Sequence, residues 1–416
     1  MSIDAIITVG LFVMVIALLA WGKVDEIIVG VSIPVLLSLF KILDPNVAFN
    51  DFANTTVIFF MAVLVLGTAI SKTGLADFIG EKVISLVGST EKRLTLGIGI
   101  VASSISGFLN DTGTTGCLMP IVAAMAKKAN VKLSKVYMSI AIFASIGGTI
   151  TLIGTTPHIV ASGLLAKAGY QPFGFFEFSK IGIPLTITGL LYMYFFGVDK
   201  LPSVESDYDK VPLNSVRNIP GMIITIVVFF AIVFSMATNL LPFHLAAVIG
   251  AMVVILTRCI TVKDALSSFS MPTLFLVAGI FPLSSALVKT GAAKAIVTYM
   301  AGFAVGMHPL ISIAIIAAIT SILTQFMMNT ALTAIMTPIG ILLAQSLNLD
   351  PRGVVMCIAL TASLAFLTPF GTGPNLLVWK SGGYNVQDYF RVGLPMVVLA
   401  WMITSVLVYV FYEVIR

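Results

Sequence analysis

The chain has 416 residues, 58% of them hydrophobic and only 10% charged, with a mean hydropathy of +1.08 and a formal net charge of +5. Soluble domains carry roughly a quarter charged residues, so a water-soluble fold has no way to hide this much apolar surface. The basic excess forms no stripe with interleaved aromatics, and Cys117, Cys259 and Cys357 lie far apart. A nucleic-acid surface and a CxxC redox or metal motif are thereby excluded.

Long uncharged runs begin at Ile6 to Gly22, where no positive n-region precedes the apolar stretch and a mature helix is expected rather than a cleaved leader. Each run approaches the ~20 residues that a helix needs to cross a bilayer, and the runs are continuous rather than alternating, which disfavours a β-barrel. In chain order the first half is predicted to span near 6–22, 26–42, 55–71, 134–153 and 181–198. Its hydrophobic stretch 94–126 is interrupted at the centre by Asn110-Asp111-Thr112-Gly113. The polar connection 199–218 reads as a linker. The second half is predicted to span near 219–236, 242–257, 270–288, 353–369 and 393–412, and its interrupted stretch is 308–346. An interruption inside a long apolar run reads as a re-entrant hairpin whose tip reaches about the midplane.

The halves match at an offset of 217 to 218. Lys72-Thr73-Gly74 falls on Lys289-Thr290-Gly291, Asp111-Thr112 with Pro120 falls on Asn329-Thr330 with Pro338, and Gly154-Thr155-Thr156-Pro157 falls on Gly371-Thr372-Gly373-Pro374. Five crossings per half is odd, so the repeats 1–198 and 219–416 are expected to have inverted topology. Lysine and arginine gather on the cytoplasmic side of a membrane. With the 72–93 connection inside, all but Lys41, Lys167, Lys180, Lys289, Lys294, Arg352 and Arg416 of the 23 basic residues are inside as well. Both termini are then outside. The first hairpin enters from the cytoplasm and the second from the exterior. Leu75 to Val87 and Ala292 to Ala304 are read as amphipathic helices along the membrane surface. The fold class is therefore all-α integral membrane, with about 10 transmembrane helices, two hairpins and broken helices.

A break inside the bilayer strands backbone N–H and C=O groups, which costs several kcal/mol each unless something binds them. The tips offer amides and hydroxyls at the starts of half-helices, whose positive ends suit an anion. The residues expected to bind a small anionic substrate are Asn110, Asp111, Thr112, Thr155, Asn329, Thr330, Thr372 and Pro374. The oxygens of Ser106, Asn110, Asp111, Gly154, Thr324, Asn329 and Gly371 suit a hard cation such as Na⁺. The unwound loops are placed at 154–157 and 371–374, with proline and glycine as the cause. Asp111 is the one carboxylate in an otherwise uncharged run, which makes it a functional candidate able to hold Na⁺ or carry H⁺. His158, beside a break, reads equally as a backbone brace or a site residue. The sequence contains no HExxH, P-loop or GxSxG motif, so secondary transport is expected rather than enzymatic or ATP-driven chemistry.

At the tips the sequence resembles the divalent anion:Na⁺ symporters, carriers of dicarboxylates, citrate and sulfate, which show a Ser-Asn-Thr triplet followed eight residues after the threonine by proline. Here the triplets read Asn110-Asp111-Thr112 and Met328-Asn329-Thr330. The resemblance implies an elevator-type homodimer in the cell's inner (plasma) membrane. It also implies that Asn329 and the two threonines contact substrate carboxylates, while tips and loops hold Na⁺. Asp111 and Met328 depart from the pattern, which opens two rival readings in the same superfamily. One is a Na⁺/H⁺ antiporter and the other an arsenite-type efflux permease; a passive channel fits the broken helices less well.

Overall fold

The computed structural model describes residues 2–21, 23–75, 78, 90–204, 218–238, 240–292, 307–369 and 371–412. Among them all regular structure is helical. In the first half the helices are α1 (Ile3–Trp21), α2 (Glu26–Leu39), α3 (Pro45–Phe49), α4 (Thr55–Lys72), α5 (Glu91–Ser106), α6 (Asp111–Ala129), α7 (Tyr137–Gly148), α8 (Thr156–Lys167) and α9 (Ser179–Tyr192). A π turn carries α9 on to Lys200. The second half contributes α10 (Ile219–Ala237), α11 (Phe243–Leu256), α12 (Val262–Ser267), α13 (Met271–Lys289), α14 (Pro309–Leu323), α15 (Asn329–Ser346), α16 (Pro351–Ala362), α17 (Gly373–Ser381) and α18 (Val386–Phe411). The proposed surface helices after Leu75 and after Ala292, and most of the 199–218 linker, lie outside the described residues.

Polar side chains at the run boundaries start these helices. Asp25, Asn54, Asn110, Asn218, Asp350 and Thr372 each accept a hydrogen bond from a backbone N–H of the first turn, which an apolar surrounding would leave unpaired. Gly74, Gly169 and Gly291 take positive φ where α4, α8 and α13 end. Residues 45–72, 179–200, 219–236, 271–289 and 386–411 are long and apolar enough to cross a membrane. The remaining apolar helices are shorter, and two of the predicted spans are corrected. The span 134–153 stops at Gly148 and the span 353–369 stops at Ala362, because the backbone leaves the helix there. Apolar composition runs on through Ile150, Leu152 and Ile153, and through Leu364 and Phe366, so hydropathy gives no sign of either stop.

The packing of the two halves is reciprocal. Helix α2 lies against α13 as α11 lies against α4; α6 contacts α17 as α15 contacts α8; α7 contacts α17 as α16 contacts α8. Small residues permit the closest crossings, as is usual between helices in lipid. A Cβ on Gly279 would overlap the Gly30 carbonyl oxygen, and one on Gly147 would overlap the Ser103 backbone.

The α2–α13 crossing yields a stability prediction. Gly279→Val forces these backbones apart and should destabilise the fold by ~1–3 kcal/mol, read as a lower thermal midpoint in detergent. Gly10→Val on α1, where a Cβ meets nothing within 4 Å, should leave the midpoint unchanged.

Candidate functional site

Each half contains a hairpin tip and a helix break, and the structure sets each tip against the break of its own half. The first tip is Gly107 to Asn110, between α5 and α6. Asn110 Oδ1 accepts from the Gly113 N–H at 2.6 Å, and Asp111 Oδ1 accepts from the Thr112 N–H at 2.8 Å. The first break is Thr149 to Thr155, between α7 and α8. Thr151 donates its hydroxyl hydrogen to the Gly107 carbonyl. Gly154 fits only as glycine, because a Cβ there would lie 2.5 Å from Gly148 O and 2.8 Å from Ser106 O. Ser106 is fully buried, and its hydroxyl finds no partner among the described residues.

The second tip is Thr324 to Met328 and the second break is Ser363 to Thr372. Thr324 is fully buried and donates to Ala362 O at 2.5 Å. One end of the Asn329 carboxamide lies 2.9 Å from Thr324 Oγ1, 3.1 Å from Ala362 O and 3.3 Å from Gly371 O. With the nitrogen at that end, the three oxygens accept from the amide. Turned over, the same side chain adds Oδ1 to Thr324 Oγ1, Ala362 O and Gly371 O, giving four oxygens suited to a hard monovalent cation. Among the described residues no group of three or more His, Cys, Asp or Glu assembles; the groups round Asn329 are one hydroxyl and two backbone carbonyls.

The halves join at residues 371–373. Gly371 O faces Asn329 at the second tip, while a Cβ on Gly373 would overlap Thr112 at the first. Asp111-Thr112 and Asn329-Thr330 are thus gathered about one strand of irregular backbone. Asn110 opens on a cavity of about 180 Å³ that is also lined by Thr68, Ser71 and Lys72 of α4, Thr156 of α8 and Ser268. Lys72 pairs with Asp264 at 3.2 Å. A second cavity, about 920 Å³, lies between the first turn of α4 and the later turns of α8, with Asn54, Thr56, Ser162, Lys167 and Gln171 on its wall. Helix α4 lines the larger cavity as far as Phe59 and the smaller from Phe60 onward, and Ile159 of α8 borders both.

Several placements differ from those expected. The loops placed at 154–157 and 371–374 are the ends of longer breaks, and Pro157 and Pro374 lie in the first turns of α8 and α17. There proline starts a helix at no hydrogen-bond cost instead of unwinding one. Thr155 is buried with extended backbone, and Thr372 caps α17 by accepting from the Asn375 N–H at 3.4 Å. His158 is a backbone brace: its Nδ1 is 2.9 Å from Thr151 O and its ring stacks on Phe178 at 3.7 Å. Sequence reasoning missed Thr151, Thr368, Gln325 and the Ala362 carbonyl. Gln325 binds Ser321 O at 2.7 Å through Nε2, and the Leu367 N–H at 2.9 Å through Oε1. A glutamine within the apolar stretch 308–346 was a readable signal.

The citrate transporter family model matches residues 16–352 and 326–415, nearly the whole chain. The chain belongs to the citrate transporter family. Similarity to individual relatives is distant. An uncharacterized transporter of Haemophilus influenzae is 26% identical, over 92% of this chain and 87% of that protein. The sodium-dependent dicarboxylate transporter SdcS of Staphylococcus saprophyticus is 22% identical, over 96% and 86%. Among solved structures, the YdaH transporter of Alcanivorax borkumensis matches with a TM-score of 0.68 at 12% identity, over 98% of both chains. MtrF of Neisseria gonorrhoeae, described within a class of antimetabolite efflux pumps, matches at 0.67 and 14%, over 100% of this chain and 96% of that one. This citrate transporter family member is therefore a helical membrane transporter and not an enzyme.

The contact of Gly154 with Ser106 gives a second prediction. Gly154→Ala should lower the thermal midpoint by ~3 °C or more, since two backbone oxygens have to move to admit the methyl group. Gly116→Ala on α6, where a Cβ meets nothing within 4 Å and helix propensity favours alanine, should not lower the midpoint.

Proposed function

We propose that this protein is a Na⁺-coupled symporter of a small divalent anion such as a C4-dicarboxylate, citrate or sulfate. The observation that carries the reading is the convergence of Asn329, Thr324 Oγ1, Ala362 O and Gly371 O within 3.3 Å of one carboxamide end. A hard cation of small radius suits such a set, and Ser106 with its unpartnered hydroxyl beside Gly154 supplies the counterpart in the first half. The sodium-dependent dicarboxylate relatives agree with Na⁺ as the coupling ion. For the anion, the positive ends of α6 and α15 point from the two tips, and Lys72, paired with Asp264, lines the same cavity as Asn110. Asp111 next to a dianion requires a cation between them, which ties anion binding to prior Na⁺ binding.

The odd number of crossings expected per half, the basic-residue distribution and reciprocal packing support inverted repeats with both termini outside, in the inner membrane of the cell. Two cavities that meet at Ile159 suit alternating access, with tips and breaks moving against α4 in an elevator-type homodimer. One observation favours a second reading: Asp111 stands where the second half has Asn329, so the first-half site carries an ionisable group, as a Na⁺/H⁺ antiporter needs.

Uptake of labelled succinate, citrate and sulfate into proteoliposomes distinguishes the two. An inward Na⁺ gradient should accumulate at least one of them. Asn329→Leu should reduce that uptake by about tenfold or more, and Asp111→Asn should retain it with altered Na⁺ dependence. No anion accumulation, together with a Na⁺-driven change of lumenal pH that Asp111→Asn abolishes, would replace symport by antiport.

A further inference from the structure

The two breaks run into their following helices through Gly-Thr-Thr-Pro-His and Gly-Thr-Gly-Pro-Asn, so His158 stands opposite Asn375 at the repeat offset of 217. The residues have little in common as chemistry, yet they make the same bond. His158 Nδ1 lies 2.9 Å from the Thr151 carbonyl; a carbonyl only accepts, so Nδ1 carries the hydrogen. Asn375 Nδ2 donates to the Thr368 carbonyl at 3.0 Å and to Ala365 O at 2.9 Å. Both donors are δ atoms, one bond beyond Cγ, and have the same reach from the backbone.

Thr151 and Thr368 are themselves equivalent at that offset, and each passes the connection on. The Thr151 hydroxyl donates to Gly107 O, and the Thr368 hydroxyl donates to Gln325 O at 2.9 Å. Gly107 and Gln325 occupy matching places in the two tips. Each directly follows the residue assigned to cation binding, Ser106 in the first half and Thr324 in the second. His158, Thr151 and Ser106 have no solvent exposure; Asn375 and Gln325 are nearly as buried.

We infer that His158 with Thr151, and Asn375 with Thr368, are positioning residues that form two matching latches, each fixing a hairpin tip to the break of its own half through one tip carbonyl. In each half the latch runs from a first-turn side chain to a break carbonyl, then from the hydroxyl of that same break residue to the tip. Its effect is to hold the neighbouring Ser106 or Thr324 against Gly154 or Ala362. The latch rests on these hydrogen bonds, and only its consequence for the ion rests on the symport reading.

Hydrogen–deuterium exchange of the purified full-length protein reads each latch separately, in peptides covering residues 103–112 and 321–330. Thr151→Val and His158→Leu should speed exchange in 103–112 by about fivefold, the effect of one lost hydrogen bond, and leave 321–330 at the wild-type rate. Thr368→Val should do the reverse. Thr151→Ser and His158→Asn should return 103–112 to the wild-type rate, the second because Asn375 already does this work in the other half. Equal acceleration of both peptides, no acceleration of 103–112 in Thr151→Val, or a His158→Asn variant that behaves like His158→Leu would each overturn the latch. In uptake assays Thr151→Val should raise the Na⁺ concentration for half-maximal transport while the anion KM at saturating Na⁺ stays put. A wild type indifferent to Na⁺ would refute symport and leave the exchange result to decide the latch.

Discussion

A helix interrupted inside an apolar slab strands backbone carbonyls and amides that no water reaches, and each stranded group costs several kcal/mol. The arrangement of this protein follows from how that cost is met. Each break is paired with a hairpin tip of the same half, so that two irregular segments satisfy one another: Thr151 on Gly107, Thr324 on Ala362, Thr368 on Gln325. The other local features serve that pairing. Gly154 is glycine because Ser106 O and Gly148 O leave no space for a side chain, and Gly147 lets α7 approach α5 closely enough for the tip to reach the break. Caps such as Asn110 and Thr372 restart the helices immediately afterward, which confines unpaired backbone to a few residues.

Satisfying the backbone in this way leaves oxygens that face one another, and these are the groups a cation would share. At the second tip the oxygens round Asn329 serve either the amide nitrogen or an ion, according to which way the carboxamide lies. The first tip is built on the same plan with different chemistry, since Ser106 stands for Thr324 and Asp111 for Asn329. The two tips thus share one plan and differ in charge. The joint at 371–373, touching Asn329 on one side and Thr112 on the other, brings the two tips into one neighbourhood.

Much of this was legible in the residues. The apolar runs gave the long helices, Asn110-Asp111-Thr112 and Asn329-Thr330 marked both tips, and the shared offset brought Gly154 and Gly371 to equivalent places. The misses have a common cause. Backbone carbonyls carry no residue signature, so the Ala362 acceptor was invisible, and hydropathy runs unchanged through Ile150 to Ile153 and Leu364 to Phe366 where helices α7 and α16 have already stopped. Proline breaks helix interiors, so Pro157 and Pro374 read in the sequence as agents of unwinding; each instead opens the helix that follows. Thr151 and Thr368 obey the repeat offset, but threonine is so common in these segments that only the structure separates them from Thr149 or Thr361.

The central claim, that the tip and break oxygens hold Na⁺, is tested most directly by the thermal stability of the purified transporter titrated with NaCl against KCl at matched ionic strength. A ligand that binds only the folded state raises the midpoint as its concentration passes the dissociation constant. The account predicts a saturable, Na⁺-specific rise in the wild-type protein that is smaller in Ser106→Ala and in Thr324→Val. Identical curves in the two salts, or a Na⁺ effect that both variants retain in full, would contradict it.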